Sequence, residues 1–221
     1  MKLLQYIHSA LILSVLMLVG CGGSGGGGDI NIADIRATLC PGYKYQENGG
    51  RQEIIFASIN RANITGWIEN SLGNKVGGSD LVTNSQANTS EITLSTSLVG
   101  SYKLVYYVNS EKFEFARDVQ WTTIPDFTTA PQPPVWNSAS RQLSVSYSAT
   151  SAGVANYYLR LFYAALPDRM YQQTSTSPGG GVLSMHVNQS DIYTPVLVAE
   201  AVEGDRVSSV IHYIFSAMPL N

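Results

Sequence analysis

The chain has 221 residues, a formal net charge of −3 and only 13% charged residues. This balance offers no basic face, so nucleic acid is not expected as a partner. The chain contains 13 tyrosines and lacks long runs of Ala, Glu, Lys and Leu, which favours strands over helices. The composition therefore predicts an all-β protein.

The first residues have the order of a secretory signal. Lys2 precedes an apolar run from Ile7 to Leu18, which is shorter than the roughly 20 residues that cross a bilayer. The last residues of this segment, Leu18-Val19-Gly20-Cys21, resemble the lipobox of bacterial lipoproteins. In that family the chain is cut before the cysteine, which becomes the lipidated first residue. The resemblance implies a signal peptide over residues 1–20 and a lipidation site at Cys21.

A glycine-rich stretch at residues 21–28 predicts a flexible tether. Its Gly-Gly-Ser-Gly-Gly letters match the G-x-S-x-G pattern of serine hydrolases, but that elbow must lie between a strand and a helix. We therefore assign it no activity. In the lipoprotein family, a residue other than Asp after the cysteine, here Gly22, favours the outer membrane. We expect a protein anchored to the bacterial outer membrane by acyl chains, each contributing about 0.8 kcal/mol per buried methylene, on its periplasmic or its outer side.

A proline-rich stretch at residues 125–134 divides the remaining chain. Prolines are excluded from sheet interiors and make a semi-rigid connector. On each side, short strands recur at regular spacing with turn signals between them, which is typical of β-sandwiches. The sequence thus predicts two tandem antiparallel β-sandwiches, at residues 29–124 and 135–221.

In the first segment, strands are predicted at Ile30–Leu39, Gln52–Ile59, Ile64–Asn70, Glu91–Thr96, Ser101–Val108 and Lys112–Trp121. Cys40-Pro41-Gly42 indicates a turn after the first strand, and Asn109-Ser110 indicates a tight hairpin. Trp67 lies where immunoglobulin-like sandwiches often hold a core aromatic, and Tyr102 lies where they carry a tyrosine corner. No cysteine pair crosses the sheets, so this segment resembles the immunoglobulin fold in architecture only.

If Cys21 is lipidated, Cys40 has no partner within the chain. An odd cysteine in an oxidising compartment indicates either an intermolecular bond or an inert thiol. We favour a half-buried, inert thiol.

In the second segment, strands are predicted at Leu143–Tyr147, Tyr157–Tyr163, Pro195–Val202 and Arg206–Phe215. Residues 131–218 resemble a fibronectin type III domain. Pro133-Pro134 open the first strand, Tyr147 replaces the family's usual Trp, and Val187 precedes Tyr193 with the family's Leu-to-Tyr spacing. The resemblance implies a sandwich fold and carries no activity by itself.

Residues that could carry chemistry are sparse. His186 and His212 fall inside predicted strands and are interpreted as surface or edge side chains. Ser184 and His186 share a strand face near Asp191, but closeness along a strand does not make a converging triad. Zinc usually needs three or four ligands. We expect no metal, no cofactor and no enzymatic activity.

Two tyrosine pairs, Tyr106, Tyr107 and Tyr157, Tyr158, are candidates for an interaction surface. Since neighbouring residues of a strand face opposite ways, one of each pair should point outward. An exposed tyrosine can stack on a sugar or anchor a protein interface. The other interpretation is that half-buried tyrosines only cover a sheet.

The leading hypothesis is a non-enzymatic envelope lipoprotein that acts as a protein-interaction or scaffolding module. Its partners would be the membrane, through the lipid anchor, and a protein. One alternative is a glycan-binding accessory protein that uses outward tyrosines. Another is a pilus or secretion-system accessory, in which a sheet edge accepts a partner strand.

Overall fold

The computed structural model describes residues 30–47, 49–96, 99–121, 124, 126–150, 154–176, 180–204 and 206–221. The predicted signal peptide, Cys21 and the glycine-rich tether lie outside the described residues, so lipidation stays a prediction.

The first half opens with a 3-10 turn at Ile32–Asp34. Its strands are β1 (Ala37–Gln46), β2 (Arg51–Ile59), β3 (Thr65–Glu69), β4 (Lys75–Asp80), β5 (Val82–Asn84), β6 (Thr89–Ser95), β7 (Gly100–Val108) and β8 (Glu111–Val119).

The strands of the second half are β9 (Val135–Asn137), β10 (Gln142–Tyr147), β11 (Val154–Tyr163), β12 (Leu166–Thr176), β13 (Gly181–His186), β14 (Asp191–Glu203), β15 (Arg206–Ile214) and β16 (Met218–Leu220).

These strands form three sheets. The largest, a nine-stranded sheet, has the order β12-β11-β14-β15-β1-β2-β6-β5, with β16 paired to β14. A four-stranded sheet has the order β4-β3-β7-β8, and a three-stranded sheet the order β13-β10-β9. Strands therefore dominate the described residues and most ladders are antiparallel, which confirms the predicted all-β fold.

The nine-stranded sheet runs through both halves of the chain. Strands β1 and β15 pair in parallel, from Gly42 opposite Val210 to Gln46 opposite Ile214. Gly42 allows the close approach, because a Cβ there would lie 2.5 Å from the Val210 carbonyl oxygen. The boundaries at 29–124, 125–134 and 135–221 stay a prediction, and this ladder joins the segments on either side of the connector.

One face of the nine-stranded sheet carries the main core. The three-stranded sheet contributes Leu143, Val145 and Tyr147, all buried on one face of β10 as the alternation of that strand predicted. They pack with β11 residues such as Tyr157, whose ring centroid lies 4.6 Å from that of Tyr147. The four-stranded sheet packs on the same large face through residues such as Leu104.

The segments around the connector are tied into this core. Trp121 is buried and donates from Nε1 to the Gly42 carbonyl at 3.2 Å, while the Tyr43 hydroxyl donates to the Trp121 carbonyl at 3.1 Å. Trp136 packs against the core and donates to the Asn221 carbonyl at 3.3 Å.

The predicted Asn109-Ser110 hairpin agrees with the structure, and Tyr193 forms a tyrosine corner that the sequence analysis did not name. Asn109 and Ser110 both have positive φ, 50° and 67°, as a two-residue hairpin of type I′ requires. Tyr193 is fully buried and its hydroxyl donates to the Gln189 carbonyl at 3.0 Å, which makes a tyrosine corner. Tyr102 is buried, and its role as a tyrosine corner stays a prediction.

The predicted first strand, Ile30–Leu39, is wrong in position. The strand runs from Ala37 to Gln46, so that Cys40-Pro41-Gly42 lies within β1 and is not a turn. Pro41 is tolerated because pairing with β15 begins only at Gly42. Sequence analysis also missed β4 and β5, which are short and, in β4, contain two consecutive glycines.

The prediction of Trp67 as a core aromatic is also wrong. Ile68 is fully buried in the main core, whereas Trp67 is half-buried. Because successive side chains of a strand alternate, Trp67 lies on the opposite face of the four-stranded sheet.

Candidate functional site

The nine-stranded sheet is rolled so that its second face, opposite the main core, lies on the inside. Between β11 and β6 lie strands β14, β15, β1 and β2, which in a flat sheet would separate the two by about 24 Å. Yet the Arg160 guanidinium of β11 lies 2.9 Å from the Glu91 carboxylate of β6. The seam between the end strands carries a second contact, from Asn84 Nδ2 to Met170 Sδ at 3.5 Å. The two halves therefore enclose an interior lined by this face.

A buried ion pair joins β11 to β6 within this interior. Arg160 donates to Glu91 and, from Nε, to Gln173 at 2.7 Å. Asn84 and Thr89 each donate to the other Glu91 oxygen at 2.8 Å. Burial alone would raise the pKa of Glu91, but the Arg160 charge and these hydrogen bonds outweigh it and lower that pKa. Glu91 is thus held as an anion against Arg160.

A second carboxylate lies near the pair. Glu200 is 9% exposed, and burial raises its pKa although Arg160 and a hydrogen bond from Tyr158 act in the opposite direction. Burial and then the nearby Glu200 raise the pKa of Tyr158 to about 12. The Arg160 guanidinium also lies over the Tyr158 ring, 5.8 Å from its centroid.

His212 is buried in this interior, which corrects its interpretation as a surface or edge side chain. It is 8% exposed, and its ring lies edge-on to Phe56 at 5.5 Å between centroids. Among the described residues, no group hydrogen-bonds to its Nε2. Burial, followed by the charge of Arg160 and less strongly that of Lys44, lowers the pKa of His212 to about 3 in spite of Glu91. The imidazole is therefore neutral at pH 7.

A cavity of about 370 Å³ opens beside these groups. It is enclosed by strands of both halves. The lining residues are Lys44, Val82, Thr83, Asn84, Glu91, Ile92, Thr93, Arg160, Phe162, Pro167, Thr194, Val196, Val198, His212 and Ile214. Most of the wall is apolar, and its charged groups come from three different strands.

Cys40 belongs to a small apolar cluster on the same face, with Ile54, Phe56 and Val210. It is a free thiol with no exposed surface, more deeply buried than the half-buried position expected. Burial raises the pKa of this thiol, which keeps it protonated and unreactive.

The four tyrosines singled out in the sequence do not form one surface. Tyr157 is 1% exposed in the main core, and Tyr158 faces the interior of the rolled sheet. Tyr106 packs against the main core and stacks on Phe113. Only Tyr107 lies on an outer face, and whether any of the four contacts a partner stays a prediction.

Tyr107 belongs to what we call the Trp67 face, the outer side of the four-stranded sheet around Trp67, Glu69, Tyr107, Lys112 and Glu114. The Trp67 and Tyr107 rings lie 5.7 Å apart with an angle of 39° between their planes. Trp67 Nε1 donates to Glu69 at 2.9 Å. Hydrogen bonds from Lys103 and Lys112 lower the pKa of Glu114 to about 2.

The Ser184, His186 and Asp191 group forms no triad. His186 is exposed, and its Nδ1 lies 3.1 Å from the Ser140 carbonyl oxygen. The Ser184 hydroxyl shares a hydrogen bond of 2.8 Å with Ser144. Within the described ranges, no three His, Cys, Asp or Glu side chains could hold a metal ion. No helix among the described residues is long and apolar enough to cross a membrane.

No protein-family model matches the chain, and no curated protein matches it. Among solved structures, it is similar to the BSP domain of a biofilm-associated protein, with 11% identity and a TM-score of 0.28, over 83% of this chain and 29% of that one. It is also similar to the FN1–FN3 domains of chicken CNTN1, with 14% identity and a TM-score of 0.30, over 80% of this chain and 62% of that one. A segment of titin, domains A168-A170, is similar at 9% identity and a TM-score of 0.28, over 84% of this chain and 66% of that one.

The chain thus spans less than a third of the length of the biofilm-associated chain. These neighbours are immunoglobulin-like or fibronectin type III-like proteins.

Proposed function

We propose that the chain is a non-enzymatic lipoprotein of the bacterial outer membrane that binds a protein partner. The lipobox-like residues before Cys21 and the glycine-rich tether support the anchored location. The Trp67 face supports the binding role, and it is the single feature on which that role rests. It is an outward-facing Trp and Tyr pair surrounded by charged side chains.

This arrangement has the anatomy of a protein-binding surface. Interfaces commonly place Trp, Tyr and Arg at the centre of a patch and polar groups around it. On the Trp67 face the aromatic rings are half-buried, so they are held in place before any partner arrives. The ion pairs from Glu114 to Lys103 and Lys112, at 2.8 and 2.7 Å, form the polar rim around the two aromatic rings. Exposed pairs of this kind contribute to specificity more than to affinity.

The anchor is tested with Cys21→Ser. Without a thiol to acylate, the variant is expected to accumulate as uncut precursor or as unanchored protein. Radiolabelled palmitate incorporation and membrane fractionation measure both results. Recovery of the serine variant as processed, acylated protein in the membrane fraction would show that Cys21 is not the lipidation site.

The partner surface is tested with Trp67→Ala and Tyr107→Ala in the full chain. Truncation of a central interface aromatic typically costs 2 kcal/mol or more, about 30-fold in affinity. We therefore expect each variant to lose most of the protein that cross-links to the wild-type chain in its own envelope, as measured by quantitative mass spectrometry.

Leu72→Ala is the matched control, because Leu72 is apolar, is 81% exposed in the turn between β3 and β4, and is not one of the residues of the Trp67 face. It should capture as much partner as the wild type. Thermal melts establish that all three variants are folded. Equal capture by Trp67→Ala, Tyr107→Ala and the wild type would remove this surface from the proposal.

The two alternatives receive less support from the described residues. Sugar stacking is favoured by coplanar aromatic platforms, whereas the Trp67 and Tyr107 planes are tilted by 39°. Partner-strand addition needs an accessible edge, and the nine-residue edge strand β8 carries Lys112, Glu114, Arg117 and Asp118. Charged side chains on an edge strand oppose such pairing.

A further inference from the structure

The cavity inside the rolled sheet has the makeup of a small-molecule site that is separate from the Trp67 face. Its volume of about 370 Å³ lies in the range of ligand pockets, roughly 300–1,000 Å³, which occur preferentially where two structural units meet. Its rim includes Val82, 40% exposed, and the exposed Pro167. Both belong to the seam between the end strands β5 and β12, which share no ladder among the described strands. We place the entrance of the cavity at this seam.

The wall favours an apolar body on the ligand. Aliphatic and aromatic side chains of the adjacent strands β11, β14 and β15 line the same space, namely Phe162, Val196, Val198 and Ile214. Burying apolar surface against such a wall contributes about 25 cal/mol per Å². A fully hydrophilic ligand would forgo this contribution.

Among the charged side chains that line the cavity, Lys44 has no partner of opposite charge in the described part of the chain. Arg160 is neutralised by Glu91 and also bonded to Gln173. His212 is neutral at pH 7, because its pKa lies near 3. Lys44 lines the cavity, is half-buried, and makes no ion pair within the described part of the chain. A ligand anion would supply the missing partner, and the Thr93 and Thr194 hydroxyls add donors on the same lining.

We propose that this cavity binds a small amphipathic carboxylate, with its carboxylate on Lys44 and its apolar body against Phe162 and Val196. The carboxylate gains a charge-assisted hydrogen bond, and the chain or ring behind it gains the apolar wall. A neutral ligand of the same shape gains only the second contribution, and a cation is repelled by Lys44.

The test uses three probes of equal length, octanoate, octan-1-ol and octylammonium, titrated into the full chain by isothermal calorimetry. Octanoate should bind about tenfold or more tightly than octan-1-ol, which is the usual strength of a hydrogen bond to a charged group. Octylammonium should bind most weakly. Equal affinities for the three probes, or no heat of binding for octanoate at millimolar concentration, would overturn the proposal.

Three variants locate the carboxylate. Lys44→Met keeps the length of the side chain and should weaken octanoate about tenfold while leaving octan-1-ol unchanged. Lys44→Arg should retain octanoate binding, and Lys75→Met, which removes an exposed lysine of β4, should bind octanoate as tightly as the wild type. An unchanged octanoate affinity in Lys44→Met would assign the site elsewhere and refute the proposal.

Discussion

Replacing Arg160 with methionine is expected to lower the free energy of unfolding by about 3–5 kcal/mol, the usual cost of removing one partner of a buried ion pair. The Arg160 side chain is 8% exposed and that of Glu91 15%. Without the guanidinium, the Glu91 carboxylate must stay buried as an unpaired anion or take up a proton. Urea melts followed by circular dichroism measure the loss.

The double variant Arg160→Met with Glu91→Leu is the informative control. Replacing both members with apolar side chains of similar volume removes the unpaired charge, so its stability should return to within about 1 kcal/mol of the wild type or exceed it. Lys75→Met is the matched surface control, since the Lys75–Asp80 pair is 46% and 66% exposed. It should change stability by less than about 1 kcal/mol. A comparably small effect of Arg160→Met would mean that Arg160 is solvated and that the sheet is not closed.

The ion pair also explains what the sequence could not predict. Within β11, Tyr157 and Leu159 alternate with Tyr158 and Arg160. This pattern correctly predicts a strand with one core face. It also predicts that the face with Arg160 is in water, because charged side chains are rarely buried without a partner. That partner, Glu91, lies 69 residues away in the chain, and no local pattern connects the two.

The parallel pairing of β1 with β15 could not be predicted from the sequence for a similar reason. Cys40-Pro41-Gly42 has a composition typical of a turn, and local propensity is the only information that the sequence gives there. In the structure Gly42 is a point of close contact with Val210 from the second half. The pairing of β1 with β15 also buries His212. Its neighbours Val210 and Ile211 indicated a strand, but they did not distinguish an edge strand from a central one.

Features that depend on local spacing were predictable. The spacing of Val187 and Tyr193 indicated a fibronectin type III-like segment, and the structure buries both side chains and places the Tyr193 hydroxyl on the Gln189 carbonyl. The alternation of Leu143, Val145 and Tyr147 likewise fixes which face of β10 is buried, because the side-chain period of a strand is two.

Tyr147→Ala should therefore lower the free energy of unfolding by about 3–5 kcal/mol, the usual cost of truncating a buried aromatic. Tyr147 is 8% exposed and packs 4.6 Å from the Tyr157 ring, between the three-stranded sheet and the large sheet. Since small domains have only about 5–15 kcal/mol of stability in total, the urea midpoint should fall steeply. His186→Ala, on the exposed side of the neighbouring strand β13, should leave the midpoint unchanged and abolish no activity. A wild-type melt for Tyr147→Ala would mean that β10 is shifted by one residue, because that slip would move Leu143, Val145 and Tyr147 together into solvent.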